Sequence, residues 1–62
     1  MNDYYIEYIS KSQDPYLLKV SEKKLKMICK TIIKEGGEIV KVYYLKDMIY
    51  YYERIEVDYK RL

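Results

Sequence analysis

Only one stretch of the chain repeats its apolar residues at helical spacing, and it limits the fold more than any other feature. In SEKKLKMICKTIIKEGG, residues Leu25, Ile28, Cys29, Ile32 and Ile33 recur at i, i+3, i+4, i+7 and i+8, which places them on one face of a helix over residues 22–35. Ser21 stands at the N-cap position, and Val20 before it pairs with Leu25 as a hydrophobic staple. Gly36 offers the left-handed residue that ends helices, and Gly37 frees the direction of exit. A single helix with a single apolar stripe covers one face of a sheet. The remaining residues must therefore build a small sheet whose second face is open.

The flanking segments have strand periodicity. In residues 3–10, Tyr4, Ile6 and Tyr8 alternate with Tyr5, Glu7 and Ile9, and polar Glu7 marks the wetter face. KSQDP has turn chemistry, with Pro15 steering Asp14 away from helical angles. YLLKV after it reads as a second strand or as an extended lead into the helix. After the glycines, EIVKVYYLKDMIYYYERIEVDY reads as a hairpin turning around Lys46 and Asp47. This register sets Tyr44 opposite Ile49, Val42 opposite Tyr51 and Val40 opposite Glu53 on the core side, extended by Ile55 and Val57. The outer side then pairs Leu45 with Met48, Tyr43 with Tyr50, Lys41 with Tyr52 and Ile39 with Arg54. The expected fold is α+β, a βαββ or ββαββ chain with one amphipathic helix on a mostly antiparallel sheet, and residues 1–62 form one domain.

This arrangement predicts an exposed, partly apolar face. Tyr43, Leu45, Met48, Tyr50 and Tyr52, with Ile39, form a contiguous patch of the kind that marks interaction sites, whereas Tyr51 belongs under the helix. Tyrosine suits such a surface because it tolerates both burial and water, and the chain has ten tyrosines with no Phe or Trp.

Sixty-two residues lie near the lower limit for a core that folds unaided. With one cysteine and no histidine, neither a disulfide nor a zinc site is expected, nor any other cofactor. Association with a second copy is the remaining source of stability, so a homodimer is expected. No apolar run has the length of a signal or membrane segment, and a lone thiol suits a reducing compartment, which together predict a cytoplasmic protein.

Catalytic chemistry finds little support. There is no histidine base, no nucleophile elbow and no glycine-rich phosphate loop. Glu53, Glu56 and Asp58 read as a solvated strand edge, and Cys29, on the apolar stripe, as a small hydrophobe. The charge is nonetheless segregated. From Lys19 to Lys34 six lysines stand against one acid, which leaves −3 for the rest of a chain whose net charge is +2. Lys23, Lys26, Lys30 and Lys34 share one helix face. They read either as an ordinary solvated face or as a row of phosphate contacts in a nucleic-acid-binding domain, with only Arg54 and Arg61 available to read base edges.

The short lysine- and tyrosine-rich format, with VSEKKLKMICKTIIKEGGEI joining strands, resembles small early proteins of phages and prophages of low-GC bacteria. Among these it is similar in size to the Hachiman anti-defence family, whose members are compact dimers. The resemblance implies a protein that binds and blocks a host factor in the bacterial cytoplasm, and it carries no functional residue over to this chain.

Overall fold

A computed structural model describes residues 3–61. The order of elements is β1 (Asp3–Ile9), β2 (Pro15–Ser21), α1 (Glu22–Lys34), β3 (Glu38–Asp47), β4 (Tyr52–Glu56) and a short 3-10 turn at Tyr59–Arg61. The strands form one antiparallel sheet in the order β2-β1-β3-β4. The architecture is the expected α+β layer of one helix on one sheet, in its ββαββ form.

The helix stripe and the strand alternation meet in a single core. Leu25, Cys29 and Ile32 of α1 pack against Tyr4 and Ile6 of β1, Val20 of β2 and Val42 of β3, all buried. Ile28 is half-buried at the margin, and Ile33, placed on the stripe by its spacing, is half exposed. Tyr4 meets Tyr44 edge to face at 5.7 Å in the core, and at its margin Tyr8 stacks on the half-exposed Tyr16 at 5.4 Å.

Ser21 and Gly36 end α1 where expected, but the Ser21 side chain and Gly37 act differently from expectation. Ser21 is the N-cap residue, but its side chain makes no capping hydrogen bond. It is also the last residue of β2, so strand passes into helix without a turn. At the other end Gly36 has φ +90°, and its N–H donates to the Ile33 carbonyl while the Gly37 N–H donates to the Ile32 carbonyl. These are the two bonds of a Schellman motif. Gly37 contributes space rather than freedom: a Cβ there would lie 2.8 Å from Ile32 Cγ2, 3.0 Å from the Ile32 carbonyl oxygen and 3.2 Å from that of Ile9. Two of those atoms are backbone and cannot step aside. Gly37→Ala is therefore expected to cost about 1–3 kcal/mol through overpacking, at least as much as the strain of about 1 kcal/mol from Gly36→Ala. Thermal melts of the two variants would show this order, and a silent Gly37→Ala would mean that the helix does not approach β1 this closely.

The β3–β4 register departs from the sequence expectation. Tyr44 faces Ile55 instead of Ile49, a displacement of six positions along the returning strand. Because six is even, the faces are preserved. Ile55 and Val57 are on the helix side as expected, with the Val57 N–H bonded to the Val42 carbonyl at 2.9 Å. Residues 48–51, however, become the loop instead of part of a strand. Tyr51 is accordingly exposed at the turn and does not lie under the helix.

A second departure is a bulge. Glu7 pairs with Lys41 and Tyr8 with Ile39, leaving Val40 as the extra residue. The alternation reverses there, so Ile39 packs against the core and Val40 is exposed, opposite to the faces expected from a regular strand.

The core also holds two titratable groups whose protons are retained by burial. Desolvation raises the Tyr4 hydroxyl, helped by the nearby charge of Glu22 and by Tyr44, and desolvation alone raises the Cys29 thiol. The folded chain thus binds these protons more tightly than the unfolded chain. Their contribution to stability is complete below about pH 8.5 and is lost as pH climbs through the folded-state values. The urea midpoint should be level from pH 6 to 8 and fall above about pH 9, less steeply in a Tyr4→Phe, Cys29→Ala double variant. Equal alkaline loss in the two proteins would assign the effect to other groups.

Candidate protein-binding site at the hairpin tip

The longest strand positions the most exposed apolar residues. β3 has ten residues, and among the described residues β1 pairs with it as far as Tyr44. Among the described residues β3 is paired from Leu45 onward with β4 alone, so this end of the hairpin extends past the described part of β1. The molecule is long in consequence, 39 × 22 × 15 Å with a radius of gyration of 12.1 Å, against about 10.6 Å for a compact domain of this length.

At the end of the overhang the Met48 N–H donates to the Tyr51 carbonyl at 2.8 Å, which makes Ile49 and Tyr50 the turning residues. Among the described residues Gln13 is the only non-glycine with positive φ, so Ile49 and Tyr50 turn without the left-handed angles of the primed hairpin turns. Neither residue is a turn former by chemistry. Ile49 is 88% exposed and Tyr50 94%, with Tyr51 and Tyr52 well exposed beside them.

The residues expected on the open sheet face are thus divided. Tyr50 and Tyr52 are at or beside the tip, Met48 is half-buried at its base, and Leu45 lies along the overhang. Tyr43 is on the open face but only 5% exposed, stacked on Tyr5 at 5.4 Å and covered by the Arg54 guanidinium 4.9 Å from its ring centre. Around it the face is laced with charge, Lys41 pairing with Glu56 at 3.3 Å and Lys19 with Asp3 at 3.5 Å. Instead of standing at the centre of a broad tyrosine patch, Tyr43 is closed off, because Arg54 and Tyr5 cover its ring. Ile49 and Tyr51, assigned to the core by the expected register, are exposed members of the candidate site that sequence reasoning missed. The signal that could have found them is the fit of Val42 and Tyr44 to Val57 and Ile55, which leaves MIYY for the turn.

The helix lysines are where their spacing put them. Lys23, Lys26, Lys30 and Lys34 are exposed along one side of α1 and line, with Met27 and Thr31, a shallow groove on the solvent side of the helix. Among the described residues none of the four is in an ion pair. The carboxylates near the C-terminal end are engaged locally, Glu56 with Lys41, and Asp58 with Arg61 and the Lys60 N–H. Among the described residues no group of three or more His, Cys, Asp and Glu side chains gathers as metal ligands, and no helix is long and apolar enough to cross a membrane.

No protein-family model matches the chain, and comparison with curated proteins and with solved structures finds no match.

Proposed function

We propose that this protein works by binding another protein, without catalysis, and that the hairpin tip Ile49–Tyr52 is what it inserts. One observation carries this reading. A β-branched residue and a bulky aromatic occupy a turn, where neither core packing nor turn chemistry accounts for them, at nearly full exposure. Such side chains gain free energy when a partner removes them from water, and aromatic anchors at interface centres are frequent hot spots. The fitting partner has an apolar recess wide enough for a two-residue turn, rimmed by acceptors for the Tyr50, Tyr51 and Tyr52 hydroxyls. In the setting that the resemblance to phage anti-defence proteins implies, that partner is a host defence protein and the effect of binding is to block it.

The test is affinity capture from a bacterial host with the intact protein and with an Ile49→Ser, Tyr50→Ser variant, each with and without nuclease. The reading requires a protein captured by the first and lost by the second whatever the nuclease treatment. Capture that disappears with nuclease and survives the tip substitutions would replace it with nucleic-acid binding by Lys23, Lys26, Lys30 and Lys34, whose affinity would fall steeply with salt.

A further inference from the structure

We infer that the outer edge of β2 is the seam of a homodimer, two copies pairing antiparallel about Leu18 to make one continuous eight-stranded sheet. The inference is independent of what the hairpin tip binds.

The surface area points to missing cover. The chain exposes 5126 Å², about 800 Å² more than a monomer of 7.7 kDa is expected to expose. That surplus equals one partner's share of a standard interface. Much of the exposed apolar surface away from the tip is on β2, where six of the seven residues are exposed, Tyr16, Leu17 and Leu18 among them.

The backbone identifies which groups are free. The Ser10 N–H donates to the Asp14 carbonyl at 2.9 Å, which marks Ser10 and Asp14 as a close pair of the β1–β2 ladder. Close pairs alternate, so Tyr16, Leu18 and Val20 exchange their hydrogen bonds with Tyr8, Ile6 and Tyr4. The N–H and C=O groups of Leu17, Lys19 and Ser21 then point away from the sheet. Pro15 falls in this outward set, where its missing N–H costs β1 no bond.

A second β2 can join these groups in few registers, and the side chains favour one. Centring on Lys19 would set Lys19 against Lys19 of the other copy. Centring on Leu17 pairs Lys19 with Pro15 and wastes the Ser21 donor. Centring on Leu18 pairs Leu17 with Lys19 of the second copy in both directions, and lets each Ser21 N–H reach the Pro15 carbonyl opposite. On the helix side Leu18 then meets Leu18, and Tyr16 meets Val20. On the open side Leu17 lies along the Lys19 stem, whose ammonium is already held by Asp3. The other edge differs: β4 has five residues and carries Glu53, Arg54 and Glu56, a charged edge of the type that discourages pairing.

Sedimentation equilibrium or light scattering at micromolar concentration tests the seam. The intact protein should be a dimer. Leu17→Lys puts lysines opposite each other twice and should weaken the dimer by at least about tenfold, while leaving the monomer folded, since Leu17 is 60% exposed and faces Glu7 within its own chain. Adding Lys19→Glu should restore the dimer, because position 17 of one copy then meets an opposite charge at position 19 of the other. A monomeric intact protein, a dimer indifferent to Leu17→Lys, or a failure of Lys19→Glu to restore it would each overturn the seam. The Ile49→Ser, Tyr50→Ser variant should remain dimeric. A dimer lost through those tip substitutions and unmoved by the β2 changes would place self-association at the tip instead.

Discussion

Replacing Leu25 with Ala should leave most of the protein unfolded at 37 °C. Leu25 is 1% exposed and belongs to the buried core that also holds Ile6 and Val20. Truncating a buried leucine costs about 3–4 kcal/mol when the surroundings cannot collapse into the space. A single core of this size supplies only about 3–5 kcal/mol in total, so one substitution consumes nearly all of it. Ile6→Ala should do the same from the sheet side. Ile33→Ala, half exposed on the same helix, should cost under about 1 kcal/mol. Urea titration of the three variants would decide. Comparable losses at Leu25 and Ile33 would mean that the helix is rotated from the orientation described.

The tip should respond in the opposite way. Ile49→Ser and Tyr50→Ala remove side chains that touch almost nothing in the free protein, so the melting temperature should move by no more than a degree or two, as for exposed positions elsewhere. Binding to the captured partner should weaken by about thirtyfold for each, corresponding to about 2 kcal/mol for an anchor at the centre of an interface. The two quantities come from the same samples, by calorimetric melting and by titration of the partner. A large drop in melting temperature would show that the tip folds back onto the sheet, and unchanged affinity would move the binding surface elsewhere.

How far the sequence revealed these positions depends on which physical rule governed each. The helix was legible because five apolar residues at 3.6-residue spacing, closed by Gly36, have no competing interpretation. The sidedness of the strands was legible as well, since alternation assigns Tyr4, Ile6, Val42, Tyr44, Ile55 and Val57 to one face whatever their partners. Register was not. Two-residue hairpins announce themselves through glycine or asparagine, and Ile49–Tyr50 has neither, so Lys46 and Asp47 looked like the better turn. The bulge at Val40 falls in EIVKV, where the adjacent apolar residues Ile39 and Val40 break the alternation, and only the partner strand reveals which of them faces the core. Tyr43 shows a third kind of difficulty. Its face was correctly assigned, but its availability depended on Arg54 and Tyr5 closing over the ring, a matter of three side chains from three strands.

The overhang of the β3–β4 hairpin has a further consequence, for how such a protein can change. Core residues Ile6, Leu25, Cys29 and Val42 belong to the helix and the two central strands, whereas Ile49, Tyr50 and Tyr51 are exposed in a loop closed by the Met48 N–H bond to the Tyr51 carbonyl. If the tip binds as proposed, stability and target choice are written in separate parts of the chain. The loop can be rewritten, lengthened or traded for another without asking the scaffold to refold, much as a tool holder accepts a different bit. A lineage under pressure from a shifting target would be expected to vary at Met48–Tyr51 and to hold the helix and the central strands constant.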